Sequence, residues 1–308
     1  MKYSVIDTHA DSLLKAYTEN CSLYGNDLHL DFSRFSEMSA TYFLAVYVAK
    51  KFWGNAKEYT QEVIKKLSDE VKKSKGKLFL CKSFDDYMKN PDKDRVFLSI
   101  EGAKAVESVA DLHEFYDAGV RMMSLTWNET NQLASGVGEE DGNKGLTPLG
   151  RDIVAEMERL GVLIDVSHAN DKTFWDIAEA TNGPIIASHS NSRAVCSNKR
   201  NLTDEQAIRI KESGGYVGLN LYPPFLSGSK EATIDDILRH ADHFLGLGLE
   251  DNLGIGADFD GIEVTPEGID GAHDLYKVFD AMLRYGYSEI LVNKISYTNM
   301  ERILKENL

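Results

Sequence analysis

Residues 162–167 read VLIDVS, a short apolar, β-branched run followed at once by a histidine, His168. Near-continuous apolar runs of this kind mark strands buried on both faces, the signature of a parallel sheet. Seven more occur: Tyr3–His9 (YSVIDTH), Tyr42–Val48 (YFLAVYV), Val96–Glu101 (VFLSIE), Arg121–Thr126 (RMMSLT), Pro184–Ser188 (PIIAS), Gly215–Asn220 (GYVGLN) and Leu253–Asp258 (LGIGAD). Amphipathic stretches lie between them, such as Ala56–Lys73, Leu149–Leu160 and Asp204–Ser213. Thr203-Asp204-Glu205-Gln206 after Leu202 reads as a helix start, and Gly214-Gly215 as its stop. Eight strands, each followed by helix, are what a (β/α)8 TIM barrel requires. We therefore expect residues 1–308 to form one such barrel domain. The competing fold, an open doubly wound sheet, advertises a glycine-rich phosphate turn. Gly254-Ile255-Gly256 lacks the third glycine, because Phe259 stands there.

The chain carries 34 Lys+Arg against 49 Asp+Glu, a net charge of −15. That balance argues against a nucleic-acid or anionic-membrane partner, whose binding needs clustered cations. A 43% hydrophobic and 27% charged composition is that of a soluble globular protein with a full core. Cys21, Cys81 and Cys196 are odd in number and form no C-x-x-C, which points away from disulfides and thiolate zinc cages and toward a reducing compartment. The N-terminal stretch has no apolar signal-peptide core. Apolar runs such as Tyr42–Ala49 fall far short of the ~20 residues that span a bilayer. A cytoplasmic location is expected.

Barrel enzymes place their chemistry at the C-terminal ends of the strands. The first run ends in His9-Ala10-Asp11, the third in Glu101, and the fifth and sixth are followed by His168 and His189; the eighth ends in Asp258. Five of eight runs thus finish on a potential metal ligand. Side chains alternate along a strand, so His9 and Asp11 project to one side and can grip one ion. His168 and His189 supply two nitrogens for a second ion, and the two oxygens of Glu101 can bridge both. Nitrogen and carboxylate without thiolate is the donor set of hydrolytic zinc sites. Of the other histidines, His240 and His243 sit on an amphipathic helix and read as structural, as do His29, His113 and His273. Lys104 lies three residues beyond Glu101 and also reads as structural. No H-E-x-x-H and no G-x-S-x-G occurs, which removes the helix-borne metalloprotease and the serine-elbow hydrolase.

The ordered segments IDTHADSL (6–13), SIEG (99–102), GVRMMSLT (119–126), IDVSH (164–168), ASHS (187–190), Arg200-Asn201, GIGADFDG (254–261) and KISYTNMERIL (294–304) resemble the membrane dipeptidase (renal dipeptidase) family of zinc peptidases, in its bacterial, soluble form. The resemblance runs nearly end to end. It implies two zinc ions: His9 and Asp11 on one, His168 and His189 on the other, Glu101 bridging. It makes Asp258 the acid/base residue and Arg200 the clamp for the substrate's carboxylate, with Arg193 as the competitor. A homodimer is a further family-level expectation. The chain departs from the mammalian pattern after the fourth run, where Trp127 replaces a histidine. Trp127 is expected to line the substrate pocket, offering an indole N–H but no titrating imidazole.

The activity so implied is hydrolysis of dipeptides by a metal-bridging hydroxide, on two ions about 3.5–4 Å apart. The same metal chemistry serves amidohydrolases acting on lactams, lactones or N-acyl amino acids. A non-catalytic, ligand-binding barrel is the remaining alternative.

Overall fold

Among the described residues, nine parallel strands run β1 Tyr3–Ala10, β2 Met38–Tyr47, β3 Leu78–Leu80, β4 Asp94–Glu101, β5 Val120–Ser124, β6 Leu163–Asp165, β7 Ile185–Ala187, β8 Tyr216–Leu219 and β9 Leu253–Ile255. The computed structural model describes residues 3–36, 38–140 and 143–308. Neighbours follow the order β2-β1-β9-β8-β7-β6-β5-β4, and β2 pairs with β4 to close the ring. Eight strands therefore form a closed parallel barrel with helices between them, the (β/α)8 fold the periodicity predicts. The ninth, β3, lies outside the ring. It pairs with Asp94–Val96 at the start of β4, and β5 takes over that flank from Leu98. Three residues set between lysines carry too little pattern to be read as a strand.

The barrel interior is filled by Ile6, Phe43, Phe97, Met122, Leu163, Ile186 and Tyr216, one from each of seven strands, and the C-terminal helix Asn299–Asn307 packs Met300, Ile303 and Leu304 against them. On the eighth strand Gly254 makes room: a Cβ there would lie 2.0 Å from the Tyr216 hydroxyl. The larger cluster outside the ring packs strand residues such as Val5, Leu44, Leu98 and Ile164 against helix residues such as Val63, Leu67, Ile153 and Phe244. This two-shell core holds the strands rigidly, so their C-terminal ends are fixed points on which a site can be built.

The helices begin and end where local chemistry dictates. Ala56–Lys73, Pro148–Leu160 and Asp204–Glu212 occupy the expected stretches. Thr203 Oγ1 accepts from the Gln206 N–H while Gln206 Oε1 accepts from the Thr203 N–H, a complete capping box. Gly214 then turns the chain at φ 71°. No helix among the described residues is long and apolar enough to cross a membrane.

The later strands are shorter than their apolar runs. The ladder of β6 stops at Asp165 and that of β9 at Ile255, so His168 and Asp258 stand on turns beyond the strands. Both are held at positive φ, 69° and 66°. Non-glycine residues take that conformation at a cost, which is commonly met at functional sites.

Candidate active site

His9, at the end of β1, is the hub of the mouth. Its Nε2 lies 3.4 Å from Asp11 Oδ2, 3.6 Å from Glu101 Oε1 and 3.8 Å from Asp258 Oδ1. Glu101 Oε1, at the end of β4, is also 2.8 Å from His168 Nε2 and 3.4 Å from His189 Nε2. The two latter nitrogens are 3.0 Å apart. Ligand atoms of His9, Asp11 and Asp258 lie within 4.8 Å of one another, as do those of His9, Glu101 and His189. The structure thus brings together all six residues read from the run ends. Asp11 reaches in because β1 gives way to the helix Ser12–Thr18 one residue later. Gly261 lets the β9 loop close over the cluster: a Cβ there would lie 2.2 Å from Asp11 Oδ2 and 2.4 Å from Asp258 Oδ1.

The ring nitrogens facing away from the cluster are tied down. His189 Nδ1 is 2.8 Å from Ser188 Oγ, whose hydroxyl donates at 2.6 Å to Asp165 Oδ2. Asp165 Oδ1 accepts the Ser167 and Ser188 amides, each at 2.9 Å. His168 Nδ1 is 2.8 Å from Asn128 Oδ1. With Nδ1 carrying the proton in both rings, each Nε2 presents a lone pair to the mouth, the arrangement that outer partners impose on metal-binding imidazoles. Asp258 Oδ2 accepts from Asn220 Nδ2 at 2.9 Å, which leaves Oδ1 turned toward His9 and Asp11.

Electrostatics make this a cation site. Burial pushes the Glu101 carboxyl well above the usual range, and the nearby charges of Asp11 and Asp258 push it further against the pull of His9. Burial lifts Asp258 to about 6 in the same way, with Asp11 adding to it. Burial lowers the His9 imidazole, but Glu101, Asp11 and Asp258 outweigh it and raise the group to about 10. Burial holds His168 and His189 well below 6.5, and Arg200 and His9 lower them further. Buried carboxylates crowded this closely need positive charge among them. His9 Nε2 is buried with no hydrogen-bond partner among the described residues. The donor set and the neutral imidazoles of His168 and His189 fit divalent cations, one of which would take the place of the proton on His9.

Beside the cluster opens a cavity of about 530 Å³, lined by Glu101, Asp11, His168 and Asp258 together with Trp127, Tyr47, Arg200, Tyr222 and Phe225. Arg200 is 9% exposed, and its Nε and Nη2 find no partner among the described residues. Asn201 holds the loop in place: its Nδ2 donates to Cys196 O and Phe225 O, each at 2.9 Å. Arg193 is occupied elsewhere, donating twice to Asp171 at 2.9 Å and to Asn201 O at 2.8 Å. An unpartnered, buried guanidinium on a cavity wall is a receptor for an anion.

The family model for membrane dipeptidase (Peptidase family M19) matches residues 1–307. The chain belongs to this family. It is an M19 metallo-dipeptidase, a hydrolase on a TIM barrel. A solved M19 metallo peptidase, dipeptidase AC, superposes with a TM-score of 0.93 at 30% identity, over 100% of this chain and 99% of that one. A metallo peptidase from Rhodobacter sphaeroides, liganded with a phosphinate mimic of the dipeptide L-Ala-D-Ala, gives 0.93 at 29% over the whole of both chains. An uncharacterized dipeptidase of Schizosaccharomyces pombe is 37% identical over 212 residues, 68% of this chain and 52% of that protein, so the match spans about half its length.

Within this M19 site, Trp127 stacks on His168, with centroids 5.5 Å apart at 27°, and lies 4.9 Å from Tyr47. The next residue, Asn128, orients His168; sequence reading passed over it, as it did Asn220 and Asp165. Only Asp165, a carboxylate inside an apolar run, carried a signal. The remaining histidines stand apart from the cluster. His240 Nδ1 accepts the Ser192 amide and its Nε2 donates to Leu226 O, while His243 pairs with Asp204 at 2.7 Å. His29 Nδ1 accepts from the Asp260 amide, His113 pairs with Glu156, and His273 lies 3.9 Å from Asp274. Lys104 Nζ sits over Trp53 and 3.2 Å from Gln132 Oε1.

Two variants probe these contacts. Asn128→Ala removes the acceptor for His168 Nδ1–H, and metal affinity should fall about 10–100-fold, the usual effect of losing such a partner. Unchanged affinity by competition with a chelating dye would make Asn128 a bystander. Arg200→Ala should cost about 1.5–3 kcal/mol in kcat/KM for free dipeptides, the scale of a charged hydrogen bond. Dipeptide amides, which lack the carboxylate, should show no such loss. Equal losses for acids and amides would make Arg200 structural.

Proposed function

We propose that the enzyme is a binuclear zinc dipeptidase and that residues 1–308 act as one catalytic domain. His9 and Asp11 would hold one ion and His168 and His189 the other, with Glu101 between them. Bound zinc supplies a nucleophile at neutral pH by acidifying water, and polarises the scissile carbonyl. Arg200 takes the carboxylate of the substrate's last residue in a charge-assisted bond, which admits no chain beyond it. Asp258, with Oδ2 held by Asn220, takes the proton of the attacking water on Oδ1 and returns it to the leaving amine.

The observation that carries this reading is the pairing, in one cavity, of the ligand cluster with the buried guanidinium of Arg200, whose Nε and Nη2 have no hydrogen-bond partner among the described residues. The relative that holds a mimic of L-Ala-D-Ala supports acceptance of a D-residue at the second position. A panel of L,L- and L,D-dipeptides set against lactones, lactams and N-acyl amino acids tests it. Turnover of dipeptides that carry both a free α-amine and a free carboxylate is expected, with lactones, lactams and N-acyl amino acids turned over far more slowly. Faster turnover of lactones or N-acyl amino acids would assign the site to another amidohydrolase reaction.

A further inference from the structure

The cavity extends beyond the ligand cluster, and its wall on the side of the ring opposite Arg200 is built of aromatic side chains. Arg200 comes from the loop after β7. Around the ring, β2 stands four places from β7 in either direction, directly across the mouth. The last residue of β2, Tyr47, and Phe52 and Tyr59 in the segment after it line the cavity there. These rings are fixed before any ligand arrives. Phe52 and Tyr59 stack at 4.5 Å and 16°, and Tyr17 meets Tyr59 edge-on at 5.6 Å and 88°. Tyr17 is itself anchored by its hydroxyl, which donates to Glu62. Tyr47 continues the wall to Trp127, and Trp127 to His168. Two sets of aromatic rings thus line the cavity, Trp127 and Tyr47 next to His168, and Phe52 and Tyr59 after β2.

A dipeptide with its carboxylate on Arg200 and its scissile carbonyl at the cluster must extend its amino-terminal residue away from Arg200. We propose that the Tyr47–Phe52–Tyr59 wall, continued by Trp127, is the subsite for the side chain of that residue and selects a large apolar or aromatic one. The inference rests on the dipeptidase reading with Arg200 at the carboxylate end. Rings already stacked on one another lose little freedom when a side chain docks, so the gain from burying apolar surface is kept. At about 530 Å³ the cavity has room for a large side chain as well as the dipeptide backbone. Lys51 Nζ lies 4.9 Å over the Phe52 ring and Lys15 is exposed at the rim, so an acidic side chain is the competing occupant.

The test measures kcat/KM of the zinc-loaded enzyme on Phe-Ala, Leu-Ala, Ala-Ala, Glu-Ala and Ala-Phe. Phe-Ala and Leu-Ala should exceed Ala-Ala by about 10–200-fold, the range an apolar pocket provides. Phe52→Ala should reduce the Phe-Ala to Ala-Ala ratio at least tenfold, and Phe52→Leu, which keeps apolar volume, should restore part of it. A ratio near one in the wild type, a preference for Glu-Ala, or a Phe52 effect felt by Ala-Phe in place of Phe-Ala would overturn the assignment. Those outcomes leave the dipeptidase reading standing. Hydrolysis of none of the five, in either the L,L or the L,D form, would overturn both.

Discussion

Asp258→Asn should lower kcat by roughly 10²–10⁴ while most of the metal stays bound, the span expected for loss of a positioned proton shuttle. The substitution keeps the shape of the side chain. Asn220 Nδ2 can still donate to an oxygen at that position, as it now does to Asp258 Oδ2 at 2.9 Å. The amide cannot accept a proton on the atom turned toward His9 and Asp11. The loss should therefore appear in kcat more than in KM, because the proposed clamp for the substrate's carboxylate, Arg200, is left unchanged. Parallel measurement of metal content separates this from ligand loss: Asp258 Oδ1 lies 3.8 Å from His9 Nε2, close enough to share an ion. Near wild-type turnover would remove the acid/base role. A kcat loss matched by equal metal loss would make Asp258 a ligand first.

Glu101→Gln should remove at least one of two metal ions, and activity with it. One oxygen of Glu101 faces three imidazoles, 2.8 Å from His168, 3.4 Å from His189 and 3.6 Å from His9. A carboxylate there can neutralise charge on both sides at once. A neutral amide offers a single oxygen and turns a donor toward a cation, which binds poorly. The variant should also fold well: burial and the charges of Asp11 and Asp258 both oppose ionisation of Glu101, so an uncharged side chain suits the metal-free protein. Full metal occupancy in the variant, by elemental analysis of gel-filtered protein, would take Glu101 out of the centre.

Much of this architecture is written locally. The eight apolar runs fall on the eight barrel strands because both faces of each strand are buried, and the Thr203 helix start works through residues three apart. The six clustered residues were legible because a closed parallel barrel brings all its strand ends to one mouth, whatever their spacing in the chain. What stayed hidden depends on contacts across the ring. Asn220 serves Asp258 and Asn128 serves His168, 38 and 40 residues apart in sequence, and a lone asparagine after a strand looks like any turn residue. Asp165 acts through Ser188, again on the neighbouring strand. The stacking of Trp127 on His168 could not be read either, since nothing in the sequence shows which way a ring after β5 turns. The extra strand β3 escaped because its three residues pair with only the first part of β4.

The most direct test of the central claim is the metal stoichiometry of the purified protein, measured together with hydrolysis of an L,D-dipeptide. The account predicts about two zinc ions per chain, activity lost in step with metal on chelation, and activity restored by adding zinc back. Full dipeptide hydrolysis by protein stripped of metal, or two bound zinc ions with no hydrolysis of any dipeptide, would contradict it.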